Sequence, residues 1–397
     1  MIQKLKHYDY TLLITPLFLS AFGLVMIYSA SMVTAVVEGL DSTYYLKRQA
    51  MWFCIGLIGF TVTSIFPYQL YQRFIKIILL VTVITLIGVD LFGTEVNNAK
   101  SWLSIGPFRF QPAELAKISL ILYLASVYSK KQAYLSDFTK GVLPPLVMTG
   151  IVIGFIVLQP DIGTAVIIFL IACSVIFSSG IRFKHLSILI VVGLALVAMA
   201  VPYMVTEERI SRFTGAYQPF ATPDSDGYQL IQSYVAIGVG GLTGEGLGQS
   251  VQKLGYLTQA HTDFIMAIVA EELGFIGVFI VTGLLSVIVI RGIFISRKCQ
   301  DSFGALLAIG ISSMVGIQAF VNLGSISGLL PITGVTLPFV SYGGTSLLVL
   351  LISMGILNNI AKTVRKREFE SGDSQDIHPN YPKKFIRGGN YGRTKSN

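Results

Sequence analysis

Charged side chains are scarce in this chain. Asp, Glu, Lys and Arg make up 13% of its 397 residues, against about a quarter in an ordinary soluble domain. Cysteine is scarcer, with three residues, and histidine and tryptophan number four and two. Cys54 and Cys173 fall in apolar stretches and Cys299 beside a basic one, so the pattern carries neither a disulfide framework nor a Cys-based metal site. No Walker or Rossmann glycine pattern with the required spacing occurs. No internal repeat is visible either, which counts weakly against an inverted-repeat transporter. What fills the chain is apolar: 53% of the residues are hydrophobic and the mean hydropathy is +0.70, which excludes a soluble core with a polar surface.

Windows of about 20 apolar residues are long enough to cross a bilayer, and they recur at roughly 10–32, 49–66, 74–92, 111–128, 141–158, 162–179, 186–204, 264–290, 303–323 and 339–361. The expected fold is therefore an all-α integral membrane protein of ten transmembrane helices, one polytopic unit over 1–364. The first window is too long, and too closely followed by others, for a cleaved signal peptide. With a cytoplasmic N-terminus, most Lys and Arg fall on the cytoplasmic side. The other side keeps Lys47, Arg48, Lys100, Arg109, Arg209, Arg212 and Lys253, and Lys117 lies inside a span. This positive-inside bias places both termini in the cytoplasm. The net charge of +8 follows from these loops and a basic tail beside anionic membrane lipid, with no nucleic-acid partner. Residues 365–397 are polar and Pro/Gly-rich, and are expected to be a disordered cytoplasmic tail.

Two external segments are long, 93–110 between spans three and four and 205–263 between spans seven and eight. The second contains GVGGLTGEGLGQS, whose glycines either let backbone approach a ligand or form a flexible re-entrant or surface loop. Ionisable groups in a bilayer are costly, about 2.5–3.5 kcal/mol each on insertion scales, so each is a candidate. Glu114 and Lys117 in QPAELAK share a helical face, and either neutralise each other or hold an anionic group. Asp161 in QPDIGTA follows the helix-breaking Pro160, and is either a cap or a site residue. In AHTDFIMAIVAEELGF, a helix starting near Asp263 puts that carboxylate at the external boundary and Glu271 about 12 Å deeper. His261 and Thr262 stand beside Asp263. Glu271 and Glu272 are expected to pair with buried polar groups of other spans. The Gly/Pro-broken NLGSISGLLPITGVTLPFVSYGGTS (322–346) is expected to dip into the membrane from outside. Its SYGGTS end also suits close helix packing.

Taken together in this order, NNAKSWL, QPAELAK, QPDIGTA, the AIGVGGLTGEGLG…QKLGYL run, HTDFIMAIVAEELGF and GLLPITGVTLPFVSYGGTS resemble the SEDS family, the FtsW/RodA/SpoVE group. The resemblance implies a peptidoglycan glycosyltransferase that polymerises lipid II at the outer membrane face. It would invert the anomeric centre and release undecaprenyl pyrophosphate. In that reading Asp263 is the catalytic base, and Arg109, Arg209, Arg212 and Lys253 are external cations for the pyrophosphate. Trp102 packs on sugar or lipid, and Glu114, Lys117, Asp161, His261 and Thr262 complete the substrate site. No cofactor is required, though Mg or Mn is compatible, and the metal ligands are unknown. The partners implied are a class B penicillin-binding protein and other divisome proteins, and the location is the bacterial cytoplasmic membrane, at the division septum. The chain departs from the family pattern at Thr258 and Gln259, where Pro-Glu is common, at Asn98, and at Ser101 ahead of the tryptophan. The ISSMVGIQAFVNLGSISGLLPITG stretch looks most like the division-type proteins of Gram-positive bacteria. Elongation and sporulation roles remain open, as does a lipid II flippase.

Overall fold

The computed structural model describes residues 7–96, 99–106, 108–132, 137–181, 187, 191 and 207–376. Its helices are α1 (Tyr10–Val37), α2 (Tyr44–Ile65), α3 (Tyr71–Phe92), α4 (Pro112–Lys130), α5 (Leu143–Leu158), α6 (Ile162–Ser178), α7 (Glu207–Tyr217), α8 (Tyr228–Gly240), α9 (Ile265–Lys298), α10 (Ser302–Ile326) and α11 (Gly344–Asp376). Helices thus stand at nine of the ten apolar windows; the seventh, 186–204, falls almost wholly outside the described residues. Six helical stretches among the described residues are long and apolar enough to cross a membrane. With the mostly helical fold they make this a multi-pass membrane protein.

The all-α expectation needs correction in the segment 93–110. Strands β1 (Thr94–Val96), β2 (Ala99–Ile105) and β3 (Phe108–Phe110) form a small antiparallel sheet in the order β1-β2-β3. The turn dipeptides Asn-Asn and Gly-Pro separate runs that carry Val, Trp, Ile and Phe, a hairpin signal too short to outweigh the surrounding apolar windows. α11 continues to Asp376, so 365–376 of the segment expected to be a disordered tail is helical, and 377–397 lie outside the described residues. Near residue 365 the helix is tied down: Lys362 donates to the Tyr8 hydroxyl at 2.8 Å, and Arg365 donates to the Tyr8 carbonyl at 2.6 Å and to Asp9 at 3.2 Å. Asp9 meanwhile caps α1 through Thr11 N and Leu12 N and accepts from Arg291 at 2.7 Å. One buried carboxylate therefore joins the start of α1 to α9 and α11.

α9 is interrupted at Gly274, whose φ of 65° and ψ of −163° are not helical. In an unbroken helix the carbonyls of Glu271 and Glu272 would accept from Phe275 and Ile276. Here they accept instead from the backbone of Glu245 (2.9 Å) and Gly246 (3.0 Å), while Phe275 and Ile276 donate to the carbonyls of Gly241 (2.9 Å) and Leu242 (3.2 Å). All four groups freed by the break are satisfied by the glycine-dense loop, as buried backbone requires. Gly244 and Gly274 are needed for this approach. A Cβ on Gly244 (φ +78°) would collide with the Glu272 carbonyl, and one on Gly274 would meet Gly244 N. Gly244→Ala is accordingly expected to destabilise by about 1–3 kcal/mol from overpacking, with a further penalty for the left-handed backbone. A detergent melting curve matching wild type would contradict this packing.

Residues 331–343 leave α10 and turn back along it. They are irregular yet largely buried, and α10 supplies their partners from one face: Ser325 Oγ donates to the Pro331 carbonyl (2.9 Å), Asn322 Nδ2 to Val335 (2.7 Å) and Gln318 Nε2 to Thr336 (3.1 Å). Gln318 lies about 12 Å from the Ile326 end of α10 at 1.5 Å per residue, so the segment dips that far along the bundle. SYGGTS packs tightly, with Gly344 against the Trp52 ring.

Candidate active site

Asp263 lies in the turn just ahead of α9, whose N-cap is Phe264, so the carboxylate is not the helix cap. Its main-chain carbonyl accepts from Asn322 Nδ2 at 2.7 Å, the amide group that also holds Val335. The Thr262 hydroxyl stands 3.0 Å from Asp263 Oδ1 and 2.8 Å from Gln259 Oε1. With one proton it donates to one of them at a time. Asp263 is half-buried, which leaves its carboxylate both positioned and reachable.

His261 is buried, and its ring packs on Tyr45 (centroids 4.5 Å apart) and Tyr342 (5.6 Å). Its carbonyl accepts from Tyr342 N at 2.9 Å. Burial pulls the imidazole down from 6.5 to about 4, against the smaller opposing pull of Glu38, so it is neutral at pH 7. The unfolded chain binds a proton at His261 near pH 6.5 and the folded one only near 4. Stability contributed by this site is thus complete above pH 6.5 and falls as pH drops from 6.5 towards 4. His261→Phe is expected to flatten that part of the melting-temperature profile between pH 7.5 and 5. Parallel profiles would show that this ring does not titrate in that window.

Arg109 is exposed on β3, paired across the sheet with Ser104. Ser104 and Trp102 are two apart on β2, so Trp102 and Arg109 share one face of the sheet. Arg109 and Arg48 both lower the Tyr342 phenol, opposing the larger upward push of its burial. The sheet is anchored to α11 by Thr345, whose hydroxyl accepts from Gln111 N (3.3 Å) and lies 3.4 Å from the Arg109 carbonyl.

Below this rim lies a paired interior. Lys117 Nζ meets Glu114 at 2.7 Å and donates to Gln318 Oε1 at 3.1 Å, with both ionised side chains buried. Gln318 and Asn322, one helical turn apart on α10, therefore link Lys117 below to Asp263 above. Asp161 caps α6 through Thr164 N (3.1 Å) and accepts from Gln111 Nε2 (3.3 Å). Burial pushes its carboxyl up, while the Thr164 bonds and the Lys117 charge pull it down. Glu114, Lys117, Asp161, His261, Thr262, Asp263, Trp102 and Arg109 thus belong to connected parts of one region.

Lys253 does not join the outer cations. It is 2% exposed, bonded to Glu272 at 2.8 Å and to Ser29 of α1 at 3.0 Å. An ammonium this far from water needs a fixed counter-charge, and Glu272 supplies it. Glu271 is similarly engaged, accepting from Ser250 Oγ and from Val251 N at 2.8 Å. Arg209 and Arg212 lie on α7, and their side chains are outside the described set. Among the described residues no group of three or more His, Cys, Asp or Glu side chains is placed to hold a metal ion.

Sequence reasoning missed Tyr45, Gln318, Asn322, Tyr342 and Gln49, whose side chain donates to the Ser341 carbonyl at 3.3 Å and accepts from Gly343 N at 3.2 Å. Two stripes carried the signal, Tyr45-Gln49-Trp52 and Gln318-Asn322-Ser325, polar or aromatic at helical spacing in or beside apolar windows. A cavity of about 350 Å³ lies elsewhere, lined by Tyr68, Lys298, Cys299 and Arg367. Tyr68 stacks on Phe303, about 28 Å along α10 from Asn322.

The sequence profile of the cell cycle protein family FtsW/RodA/SpoVE matches residues 10–366. The chain is 50% identical over 379 residues to the probable peptidoglycan glycosyltransferase FtsW of Bacillus subtilis (strain 168), covering 93% of this chain and 94% of that protein. It is 38% identical over 370 residues to stage V sporulation protein E of the same organism, covering 92% and 100%. Among solved structures it is similar to a chain from a peptidoglycan synthase complex described as coordinating polymerization and crosslinking (TM-score 0.74, 28% identity, 90% of this chain and 98% of that one). It is also similar to the rod shape determining protein RodA of Thermus thermophilus (TM-score 0.65, 27% identity, 89% and 96%).

Proposed function

The chain belongs to the FtsW/RodA/SpoVE family of cell cycle proteins, and from that premise we propose that it is a peptidoglycan glycosyltransferase joining lipid II into glycan strands for cell division. The observation that carries the chemistry is a reachable carboxylate, Asp263, with the Thr262 hydroxyl 3.0 Å from its Oδ1, in a turn whose His261 packs on the rings of Tyr45 and Tyr342. Asp263 takes the proton from the acceptor sugar 4-hydroxyl as that oxygen attacks the donor's anomeric carbon. The bond to pyrophosphate breaks with inversion, and Arg109 meets the charge that develops on the leaving group. Trp102, on the same sheet face, offers a surface for sugar or lipid. Lys117, held by Glu114 and Gln318, orders the floor beneath. A bound Mg or Mn would add positive charge beside the leaving pyrophosphate, though among the described residues no group of three or more His, Cys, Asp or Glu is placed to hold one.

The division role is supported by the difference between 50% identity to the FtsW relative and 38% to the sporulation relative from one organism. The topology that fits is ten spans with both termini cytoplasmic, the 205–263 segment external, and a location at the septum. A class B penicillin-binding protein is the partner expected within the divisome, in keeping with the synthase complex to which the chain is similar. Transport of lipid II is the competing activity, and it needs polar groups free to handle a headgroup at depth. Glu114, Glu271 and Glu272 are instead committed to partners within the protein.

The test uses purified protein with its penicillin-binding protein and labelled lipid II, with penicillin present to block crosslinking and glycan scored on a gel. Polymer formation is expected. Absence of polymer from a well-folded complex, together with lipid II translocation in vesicles, would replace this proposal with transport.

A further inference from the structure

We propose that residues 228–256 form a re-entrant membrane element whose apolar outer face lies among the acyl chains of the outer leaflet, rather than a loop in water. From Tyr234 onward α8 is apolar on both sides, after Gln229 and Gln232 in its first half. Its inner face, Leu230, Ser233, Ala236 and Gly240, is buried, with Gly240 directly against the Ala270 carbonyl of α9. The opposite face shows Val235, Ile237 and Val239, followed by Leu242 at 73% exposure, and Val251 and Leu254 add to it. A helical stretch apolar all round, such as 234–239, belongs in protein or lipid. At 13 residues, or about 20 Å, α8 is too short to span and fits a re-entrant segment.

Two observations set its depth independently. Leu242 is bonded through its carbonyl to Ile276, so it adjoins Phe275, Ile276 and Phe279, which are exposed on the long second part of α9. That part, 275–298, is the membrane-crossing one, and the two apolar surfaces are continuous. In addition, Lys253 and Glu272 bond Ser29 of α1, which lies about 12 Å along α1 from its Val37 end. The chain around 250–253 is therefore anchored well below the end of a spanning helix. From Gly227 to Thr262 the sequence holds only two formal charges, Glu245 and Lys253, and Lys253 is buried in its ion pair. Glu245, the exposed one, limits insertion to within reach of the headgroups.

Contact with lipid rests on the surface alone; its assignment to the outer leaflet rests on the topology proposed above. The experiment places single nitroxide labels at Val239→Cys, Leu242→Cys, Phe279→Cys and Ser42→Cys in a full-length chain whose native cysteines are replaced by alanine, reconstituted in phospholipid vesicles. Labels at 239 and 242 are expected to match 279, with high accessibility to oxygen and low accessibility to a water-soluble nickel chelate, and 42 to show the reverse. All four sites are on exposed or loop positions, and melting curves check that each variant folds. Nickel accessibility at 242 equal to that at 42 would make the segment an aqueous loop, and protection from both reagents would mean that protein covers it. Either result overturns the proposal. On intact cells, an impermeant maleimide should label Ser42→Cys. Lack of labelling would overturn the leaflet but not the glycosyltransferase chemistry, which the polymerisation assay tests separately.

Discussion

Asp263→Asn is expected to lower glycan polymerisation by about 10²–10⁴-fold, the usual contribution of a general base, while the protein stays folded. The asparagine keeps the size and the hydrogen-bonding edge of the side chain but cannot take a proton from a sugar hydroxyl. The main-chain carbonyl that Asn322 holds is unaffected, and the side chain is only half-buried. Its stability change should stay near the roughly 0.5 kcal/mol typical of substitutions away from buried networks. The measurement is polymer formed per unit time from labelled lipid II by the complex with its penicillin-binding protein, beside a melting curve of the same preparation. Asp263→Glu should retain some activity, reduced because a longer side chain misplaces the carboxylate. Near-normal polymerisation by the asparagine variant would remove Asp263 from the base role. Loss of activity accompanied by a lowered melting point would point to a structural role instead.

How much of this was legible in the sequence depended on range. Helix positions followed from local apolar runs, and the one window that the structure leaves undescribed is the seventh. The pairing of Glu114 with Lys117, at i and i+3, and the capping by Asp161 are also local, and both appear as short-range bonds. Partners distant in sequence were invisible: nothing near Lys253 says that its ammonium meets Ser29, 224 residues away, so it passed for an external cation. The glycines of 238–248 offered either close approach to a ligand or a flexible loop, and what the local pattern could not show is that Gly240 and Gly244 meet α9 backbone beside the Gly274 break. The short sheet at 94–110 escaped because strands of three to seven residues carry little periodicity. Asn322 was hidden for the opposite reason, as one polar residue in an apolar window is unremarkable until its two carbonyl partners are seen.

Lys253→Met is expected to destabilise the folded protein by about 3–5 kcal/mol, the usual effect of removing one member of a buried ion pair. The substitution leaves Glu272, which is fully buried, with only the Ser29 hydroxyl at 2.6 Å, and a lone carboxylate has no route to water there. Glu272→Leu should be as harmful, because it strands the ammonium. The double variant is expected to recover much of the loss, since desolvation of both charges disappears along with their attraction, and the difference between the double and the summed singles measures the coupling. Melting in detergent reports all three. Polymerisation should fall in the single variants in step with the folded fraction, because the pair fixes the 250–253 segment to α1 and α9 and does not touch the proposed reacting groups. A single variant as stable as wild type would mean that the pair is not what holds this segment in place. A double variant as weak as the singles would mean that packing, rather than charge, is what the position requires.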